Sequence, residues 1–202
     1  MKQSLFTMEH ARQLTADTYE LVLSGDTSAI TAPGQFVNIQ LPGKFLRRPI
    51  SICNWTKDAL LLLVRVVGEG THDLVRCVPG TELDVLSGLG NGFDLAKGGA
   101  HPILLGGGIG IAPLYGLAQR MLEAGIAPTV EEFGKLGCRL MVATEDGSLG
   151  TKGFVTDLAR HVPECGYAFV CGPTPMLKAV HGLPQLTGGQ FSFEARMGCG
   201  FG

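Results

Sequence analysis

Glycines follow a short apolar stretch in the middle of the chain, in the segment ILLGGGIGIAPL. A buried strand that runs into glycines and then into a helix directs unpaired N–H groups and the positive helix end at one point. That geometry suits a pyrophosphate. The spacing Gly108-x-Gly110-x-x-Pro113 differs from the GxGxxG fingerprint of dinucleotide-binding proteins. The segment indicates a phosphate-binding loop, with a plain strand–helix turn as the alternative.

A second loop of this kind, Cys171-Gly172-Pro173, follows the apolar residues YAFV. If YAFV is a parallel strand, the loop lies at its carboxyl end, where open α/β sheets bind ligands. The Cys171 thiol could contact a nicotinamide there, or it could be a buried structural thiol. Two such loops at one sheet edge favour a ligand site.

Two segments of the N-terminal half could also hold phosphate. In LRRPISI, Arg48 could neutralise a phosphate bidentately and the Ser51 hydroxyl could bond a ring heteroatom. The alternative is an ordinary pair of exposed arginines beside a strand. In VRVVGEGT, residues Gly68, Gly70 and Thr71 form a corner rich in backbone amides, which also suits phosphate.

The chain ends in MGCGFG, where Cys199 stands between glycines as at the opening of a metal-binding loop. One cysteine holds no cluster by itself. The six cysteines show no CxxC spacing, and without a secretion signal they are interpreted as reduced thiols.

Alternating apolar residues in the first half predict the strands that must position these loops. The predicted strands are TYELVLSG, GQFVNIQLPG, RPISICNW, ALLLLVRVVGEG and TELDVLSG. Short strands separated by proline and glycine turns are typical of an antiparallel barrel or sandwich.

In the second half, strands alternate with helices, which predicts a parallel sheet. The helix APLYGLAQRMLEAG has Pro113 in its first turn and Gly125 as its C-terminal cap. The helix TPMLKAVHG has Thr174 as its predicted N-cap, Pro175 as its first residue and Gly182 after its end.

Composition excludes several classes of protein. The 202 residues are 45% hydrophobic with a net charge of −2 and no basic block, so nucleic acid is not an expected partner. The longest apolar run, ALLLLV, is too short to span a bilayer, and the N-terminus lacks the apolar core of a signal peptide. A cytoplasmic protein without a membrane partner is expected.

In this order, the segments GQFVNI, RPIS, VRVVGEGT, SGLGNGF, GGGIGIAP and CGPTPM resemble the ferredoxin-reductase-like flavoproteins. Two further stretches, VATEDGSLGTKGFVTDL and FSFEARMGCGFG, resemble the electron-transfer subunits of NAD-dependent (type B) dihydroorotate dehydrogenase. In that family the tail continues as C-x₄-C-x₂-C with a fourth cysteine and binds a [2Fe–2S] cluster. Cys199 matches the first ligand.

The resemblance implies a β plus α/β fold: an FAD-binding antiparallel barrel in residues 1–98, a parallel-sheet NAD-binding domain in 99–190, and the start of an iron–sulfur segment in 191–202. No side chain is implied to be catalytic, since the redox chemistry belongs to the cofactors. The residues implied to bind FAD are Arg48, Pro49, Ile50, Ser51, Leu63, Val64, Arg65, Gly70 and Thr71. Those implied to border the nicotinamide nucleotide are Gly107, Gly108, Gly110 and Cys171.

The implied partner is an FMN-containing catalytic subunit that oxidises dihydroorotate, in a heterotetramer with two copies of each chain. Electrons would pass through the [2Fe–2S] cluster and FAD to NAD⁺, in pyrimidine biosynthesis. The nearest alternative is a related flavin/iron–sulfur subunit of ferredoxin–NADP or sulfite reductase type. A non-catalytic interaction module that keeps the fold is a third interpretation.

One stretch, GIAPTVEEFGKLGCRL, is too short for the family pattern. A second sheet strand begins at PTV, yet a parallel strand needs a crossover of at least ~10–12 residues to the next. Either this protein lost that strand, or Val130 and Glu131 are not covalent neighbours. We expect the second, and that residues follow Gly202.

Overall fold

The computed structural model describes residues 1–99, 101–125, 141–162 and 165–193. These residues form two compact units, one of Met1–Gly92 and one of the described residues from Phe93 onward. The domain boundaries expected after residues 98 and 190 remain predictions, and a strand of the second unit crosses residue 190.

The first unit is a six-stranded closed barrel with the strand order β1-β2-β5-β4-β3-β6, in which every pair is antiparallel. The predicted barrel is confirmed. Its strands are β1 (Lys2–Gln13), β2 (Thr18–Gly25), β3 (Phe36–Gln40), β4 (Arg48–Trp55), β5 (Ala59–Arg65) and β6 (Glu82–Leu89). One short helix, α1 (Glu69–Val75), follows β5. The sequence pattern missed β1, whose last five residues are exposed and show no alternation.

Alternate residues of the strands fill the barrel. Because side chains in a strand point alternately to opposite faces, the uniformly apolar β5 still has one inner and one outer set. Leu60, Leu62 and Val64 are buried, whereas Leu61 and Leu63 are only partly covered. Helix α1 adds Leu74, which is fully buried in the same core cluster.

The second unit contains a parallel sheet with the order β11-β10-β7, as the strand–helix alternation predicted. Its strands and helices are β7 (Ile103–Gly106), α2 (Ala112–Glu123), α3 (Val155–Ala159), β10 (Tyr167–Gly172), α4 (Thr174–His181) and β11 (Gly188–Phe193). Two short strands, β8 (Ala143–Thr144) and β9 (Thr151–Lys152), form a separate parallel pair.

Both faces of this sheet are covered, as parallel sheets require. On one face, Leu104 of β7 and Phe169 of β10 pack with Leu117 of α2. On the other face, Leu105 and Val170 pack in a cluster that includes residues of α3 and α4. The two strands can therefore be apolar throughout without exposing a face to water.

The helix ends follow the expected chemistry with one correction. Pro113 lies in the first turn of α2, and Gly125 follows its end with φ of 76° and donates its N–H to the Leu122 carbonyl at 3.0 Å. In α4 the N-cap is Pro173, so the prediction of Thr174 was wrong by one residue. The extended Pro173 already accepts the first helical hydrogen bond through its carbonyl, at 3.1 Å from the Leu177 nitrogen.

A cavity of about 290 Å³ lies in the second unit. Its lining includes all four residues of β7 and residues Met141–Thr144. Within the described ranges β7 pairs only with β10. The expected break between Val130 and Glu131 lies outside the described residues and stays a prediction.

Among the helices that the structure describes, none has the length and apolar character needed to cross a membrane.

Candidate functional site

Arg48 and Gly70 form one corner at an end of the barrel. Arg48 opens β4, and Gly70 lies buried in the first turn of α1. A Cβ added to Gly70 would fall 1.8 Å from the Arg48 Nε atom and 2.6 Å from its Cζ. The guanidinium therefore lies directly on the glycine, and a larger residue at this position would displace the arginine side chain. The structure brings together two residues that were predicted to bind the same cofactor.

Thr71 shapes this corner through its hydroxyl. The Oγ1 atom accepts hydrogen bonds from the backbone nitrogens of Val67, at 2.9 Å, and Gly68, at 3.3 Å, and donates to the Gly68 carbonyl at 3.0 Å. The hydroxyl thus holds the turn that leads into α1. The first-turn amides of a helix have no partner within the helix, so they are left to a ligand or to water.

The two neighbouring arginines differ in their surroundings. The Arg47 guanidinium donates to the Asp84 carboxylate at 2.8 Å, to the Asp84 carbonyl at 3.0 Å and to the Asn38 carbonyl at 3.3 Å. The hydrogen bond from Arg47 to the Asp84 carboxylate is the main cause of the lowered pKa of that carboxyl. Arg47 therefore clamps β3 to β6, and Arg48 is the arginine at the corner. The sequence analysis singled out Arg48, and the contacts of Arg47 with Asp84 and Asn38 explain why the adjacent arginine does not take that place.

The remaining residues of β4 follow the alternation of the strand. Pro49 and Ser51 are exposed, whereas Ile50 is half-buried against the barrel core. The Ser51 hydroxyl is therefore open to a ligand on the outside of the barrel, three residues along β4 from Arg48. Its predicted bond to a ring heteroatom stays a prediction.

The β5 residues predicted to contact FAD also differ in orientation. Val64 is 1% exposed in the barrel core, so any contact with a ligand would have to come from its backbone. Leu63 is half-buried and Arg65 is exposed. The Arg65 Nε donates to the Asp17 carboxylate at 2.7 Å, which is the main cause that lowers the pKa of Asp17.

The corner offers hydrogen-bond donors of the kind that a diphosphate, such as that of FAD, requires. A guanidinium stacked on a glycine can form charge-assisted, bidentate bonds to phosphate oxygens. The adjacent first-turn amides of α1 add further donors. The guanidinium comes from β4 and the amides come from α1. The turn held by Thr71 sets the start of α1 beside Arg48.

In the second unit, the two predicted nucleotide loops contact each other at the carboxyl ends of β7 and β10. The Gly107 nitrogen donates to the Cys171 carbonyl at 2.9 Å. A Cβ added to Gly110 would fall 2.3 Å from that same carbonyl oxygen, and one added to Gly107 would fall 2.4 Å from the Met176 sulfur. These glycines allow the two loops to pack at backbone distance.

Gly108 differs from its two neighbours because it is exposed. Its φ is 56°, in the left-handed region that favours glycine, and nothing lies within 4 Å of an added Cβ. The turn of residues 108–111 leads directly into α2. The open backbone at Gly108 therefore leaves space for a ligand at the start of that helix.

The Cys171 side chain is 5% exposed and packs in the core cluster with Phe93 and Phe169. This burial agrees with the structural-thiol interpretation of the side chain, while the Cys171 carbonyl holds the glycine loop. Contact between Cys171 and a nicotinamide stays a prediction.

No group of three or more His, Cys, Asp or Glu residues that could hold a metal ion occurs in the parts of the chain that the structure describes. Cys199, the predicted cluster ligand, lies outside the described residues.

No protein-family model matches the chain. It is 39% identical, over 224 aligned residues, to the protein named dihydroorotate dehydrogenase B (NAD(+)), electron transfer subunit, of Geobacillus sp. strain WCH70. That alignment covers 100% of this chain and 87% of the relative. The protein of the same name from Lysinibacillus sphaericus strain C3-41 is 38% identical, over 100% of this chain and 86% of the relative.

The 224 aligned positions exceed the 202 residues of this chain, so the Geobacillus protein has residues without a counterpart here. Among solved structures, the NADH-dependent reduced ferredoxin–NADP oxidoreductase superposes with a TM-score of 0.81 at 28% identity. The match covers 96% of this chain and 76% of that one.

Proposed function

The chain belongs to the family of dihydroorotate dehydrogenase B (NAD⁺) electron-transfer subunits, and from this membership we propose that it carries electrons from a dihydroorotate-oxidising subunit to NAD⁺. The observation that carries the proposal is the similarity to named relatives along the full chain. The protein is then an oxidoreductase subunit of pyrimidine biosynthesis that works with FAD and NAD⁺.

The chain's own residues bind and orient in this proposal. Arg48 and the first turn of α1 hold the diphosphate of FAD, and Gly70 provides the space that the guanidinium needs. Ser51 offers its exposed hydroxyl to the flavin ring. Bound FAD would supply the conversion between single-electron transfer and hydride transfer to NAD⁺.

The nucleotide loops of the second unit bind NAD⁺ in this proposal. Gly108 leaves the backbone open at the start of α2, where a phosphate is favoured by the helix end. Gly107 and Gly110 keep the two loops in contact, so the open backbone stays at the carboxyl edge of the sheet.

The partner is a catalytic subunit, as the name of the relatives implies. We propose that it contains FMN, that the assembly has two copies of each chain, and that it works in the cytoplasm. A [2Fe–2S] cluster with Cys199 as its first ligand belongs to the same proposal, which rests there on resemblance alone.

The test is co-expression with an FMN-containing catalytic subunit, followed by measurement of dihydroorotate-dependent NADH formation. The wild-type chain should copurify with FAD, and NADH should bleach its flavin absorbance. Arg48→Ala should lose most of the FAD. Arg12→Ala is the matched control, because Arg12 is an exposed arginine of the same barrel that pairs with Glu20 at 3.0 Å.

A colourless wild-type protein without NADH-dependent flavin reduction would contradict the proposal and favour a non-catalytic module. Equal FAD loss in both arginine variants would remove the assignment of Arg48 to the diphosphate.

The 28% identity with the NADH-dependent ferredoxin–NADP oxidoreductase supports a second candidate, a related reductase subunit with another electron donor. Both candidates predict a flavoprotein that NADH reduces. The copurifying partner distinguishes them: a dihydroorotate-oxidising subunit supports the first, and a partner that exchanges electrons with ferredoxin supports the second.

A further inference from the structure

Among the described residues, Phe45 is the most exposed large apolar side chain, with 96% of it accessible, and it lies close in sequence to Arg48 of the diphosphate corner. It lies in the loop of residues 41–47 that joins β3 to β4. A single exposed apolar residue is common on protein surfaces and needs no explanation by itself. The surroundings of Phe45, however, hold its backbone in a defined place beside Arg48.

The residues on both sides of Phe45 are tied down. The Lys44 ammonium lies 2.9 Å from a Glu69 carboxylate oxygen and 3.2 Å from an Asp73 carboxylate oxygen, both on α1. The Leu46 carbonyl accepts a hydrogen bond from the Arg48 guanidinium at 2.6 Å. These contacts restrict the backbone on both sides of Phe45, so less ordering of the loop is needed when the ring binds a ligand.

The same contacts place Phe45 at the border of the diphosphate corner. Arg48 touches Gly70 on one side and the Leu46 carbonyl on the other, so Phe45 is one residue away from a group bonded to the phosphate-binding arginine. Ser51, the residue assigned to the flavin ring, lies in the opposite direction, about 10 Å along β4 at the usual rise of a strand.

This arrangement has a consequence for the orientation of FAD, whose diphosphate joins the flavin to adenosine. If the flavin extends from Arg48 towards Ser51, the adenosine leaves the corner on the side of the loop 41–47. We propose that Phe45 is the platform on which the adenine of FAD stacks. The inference rests on the proposed function, because it requires that the corner bind FAD.

Stacking suits the chemistry of both groups. An adenine presents a flat π-face, and a base stacked on an aromatic side chain is a recurrent, sequence-tolerant contact in proteins. The cations of the loop do not compete for this role, because Lys44 is paired with carboxylates of α1 and Arg47 with Asp84. Phe45 is then a positioning residue for the cofactor.

The test compares FAD with FMN, which carries the same flavin ring but no adenosine. The full chain is freed of flavin and titrated with each compound, and binding is followed by flavin fluorescence. Phe45→Ala should weaken FAD binding about tenfold, the size expected for loss of one base–aromatic stack, and leave FMN binding unchanged. Phe45→Trp, which keeps an aromatic ring at this position, should bind FAD with an affinity close to that of the wild type.

The matched control is Leu5→Ala, which removes another exposed apolar side chain, 59% accessible, from the same barrel. It should change neither affinity. Thermal unfolding of the flavin-free chain should be the same for wild type and Phe45→Ala, since a fully exposed ring contributes little to the core.

Three results would overturn the inference. If Phe45→Ala weakened the binding of FAD and of FMN equally, Phe45 would lie against the flavin ring. If neither affinity changed, the exposed ring would belong to a contact with another partner, such as the catalytic subunit. A wild-type chain that binds no FAD would overturn the proposed function together with this inference. The first two results would overturn this inference alone and leave the proposed function standing.

Discussion

Gly70→Ala provides a sharp test of the diphosphate corner, because it changes the position of Arg48 without removing its charge. The new Cβ would lie 1.8 Å from the Arg48 Nε atom, so the flexible side chain must move away. A hydrogen bond to a charged group contributes about 1.5–3 kcal/mol. We therefore expect the Kd for FAD to rise about 10- to 100-fold, since each 1.4 kcal/mol is roughly a factor of ten.

Folding should not suffer from this change. Gly70 is helical and has no positive φ, and alanine is favoured over glycine in helices by up to about 1 kcal/mol. The thermal midpoint of the flavin-free variant should therefore equal or exceed that of the wild type. This separates a displaced arginine from a damaged barrel.

The assay is a fluorescence titration with FAD of the wild type, Gly70→Ala, Arg48→Ala and the double variant. Because both single changes remove the same contact, the double variant should lose no more affinity than Arg48→Ala alone. Additive losses, or a lower thermal midpoint in Gly70→Ala, would refute the reasoning that the glycine exists to seat the guanidinium.

Two further changes test the loops and the clamp. Gly110→Ala would place a Cβ 2.3 Å from the Cys171 carbonyl, and we expect a loss of roughly 2–3 kcal/mol in urea unfolding together with weaker NADH binding. The control Gly108→Ala meets no atom and should cost only about 1 kcal/mol, from its positive φ; an equal cost for both would contradict the close-approach argument. Arg47→Ala should destabilise the barrel by about 1–2 kcal/mol at neutral pH, because it leaves Asp84 without its main hydrogen-bond donor. The lowered pKa of Asp84 means that this stabilisation is present above about pH 4 and is lost as the pH falls through the folded-state pKa. Urea unfolding at a series of acidic pH values should therefore show a flatter pH dependence in the variant, and an unchanged dependence would rule the clamp out.

Five of the six strands of the barrel could be predicted because they carry a local signal. Residues 18–25 and 82–89 contain alternating apolar side chains, and residues 59–65 form a short apolar run, in each case close to glycine or proline. β1 was missed because only Phe6 and Met8 are buried among its twelve residues. Its place in the sheet comes from pairing with β2 and β6, which lie far along the chain.

The candidate site shows the same division between what local sequence patterns predict and what long-range contacts decide. The sequence alone determined that glycine-rich loops follow buried strands and that arginine stands beside a strand, because turn chemistry and residue periodicity are local properties. The motif in the sequence pointed to Arg48, but only the tertiary structure showed how the adjacent and chemically identical Arg47 is engaged elsewhere. The difference between the two arginines depends on Asp84 and Gly70, which long-range strand pairing and helix placement bring to them. Burial of Val64 and of the Cys171 thiol was decided in the same way, by packing between segments that no local pattern records.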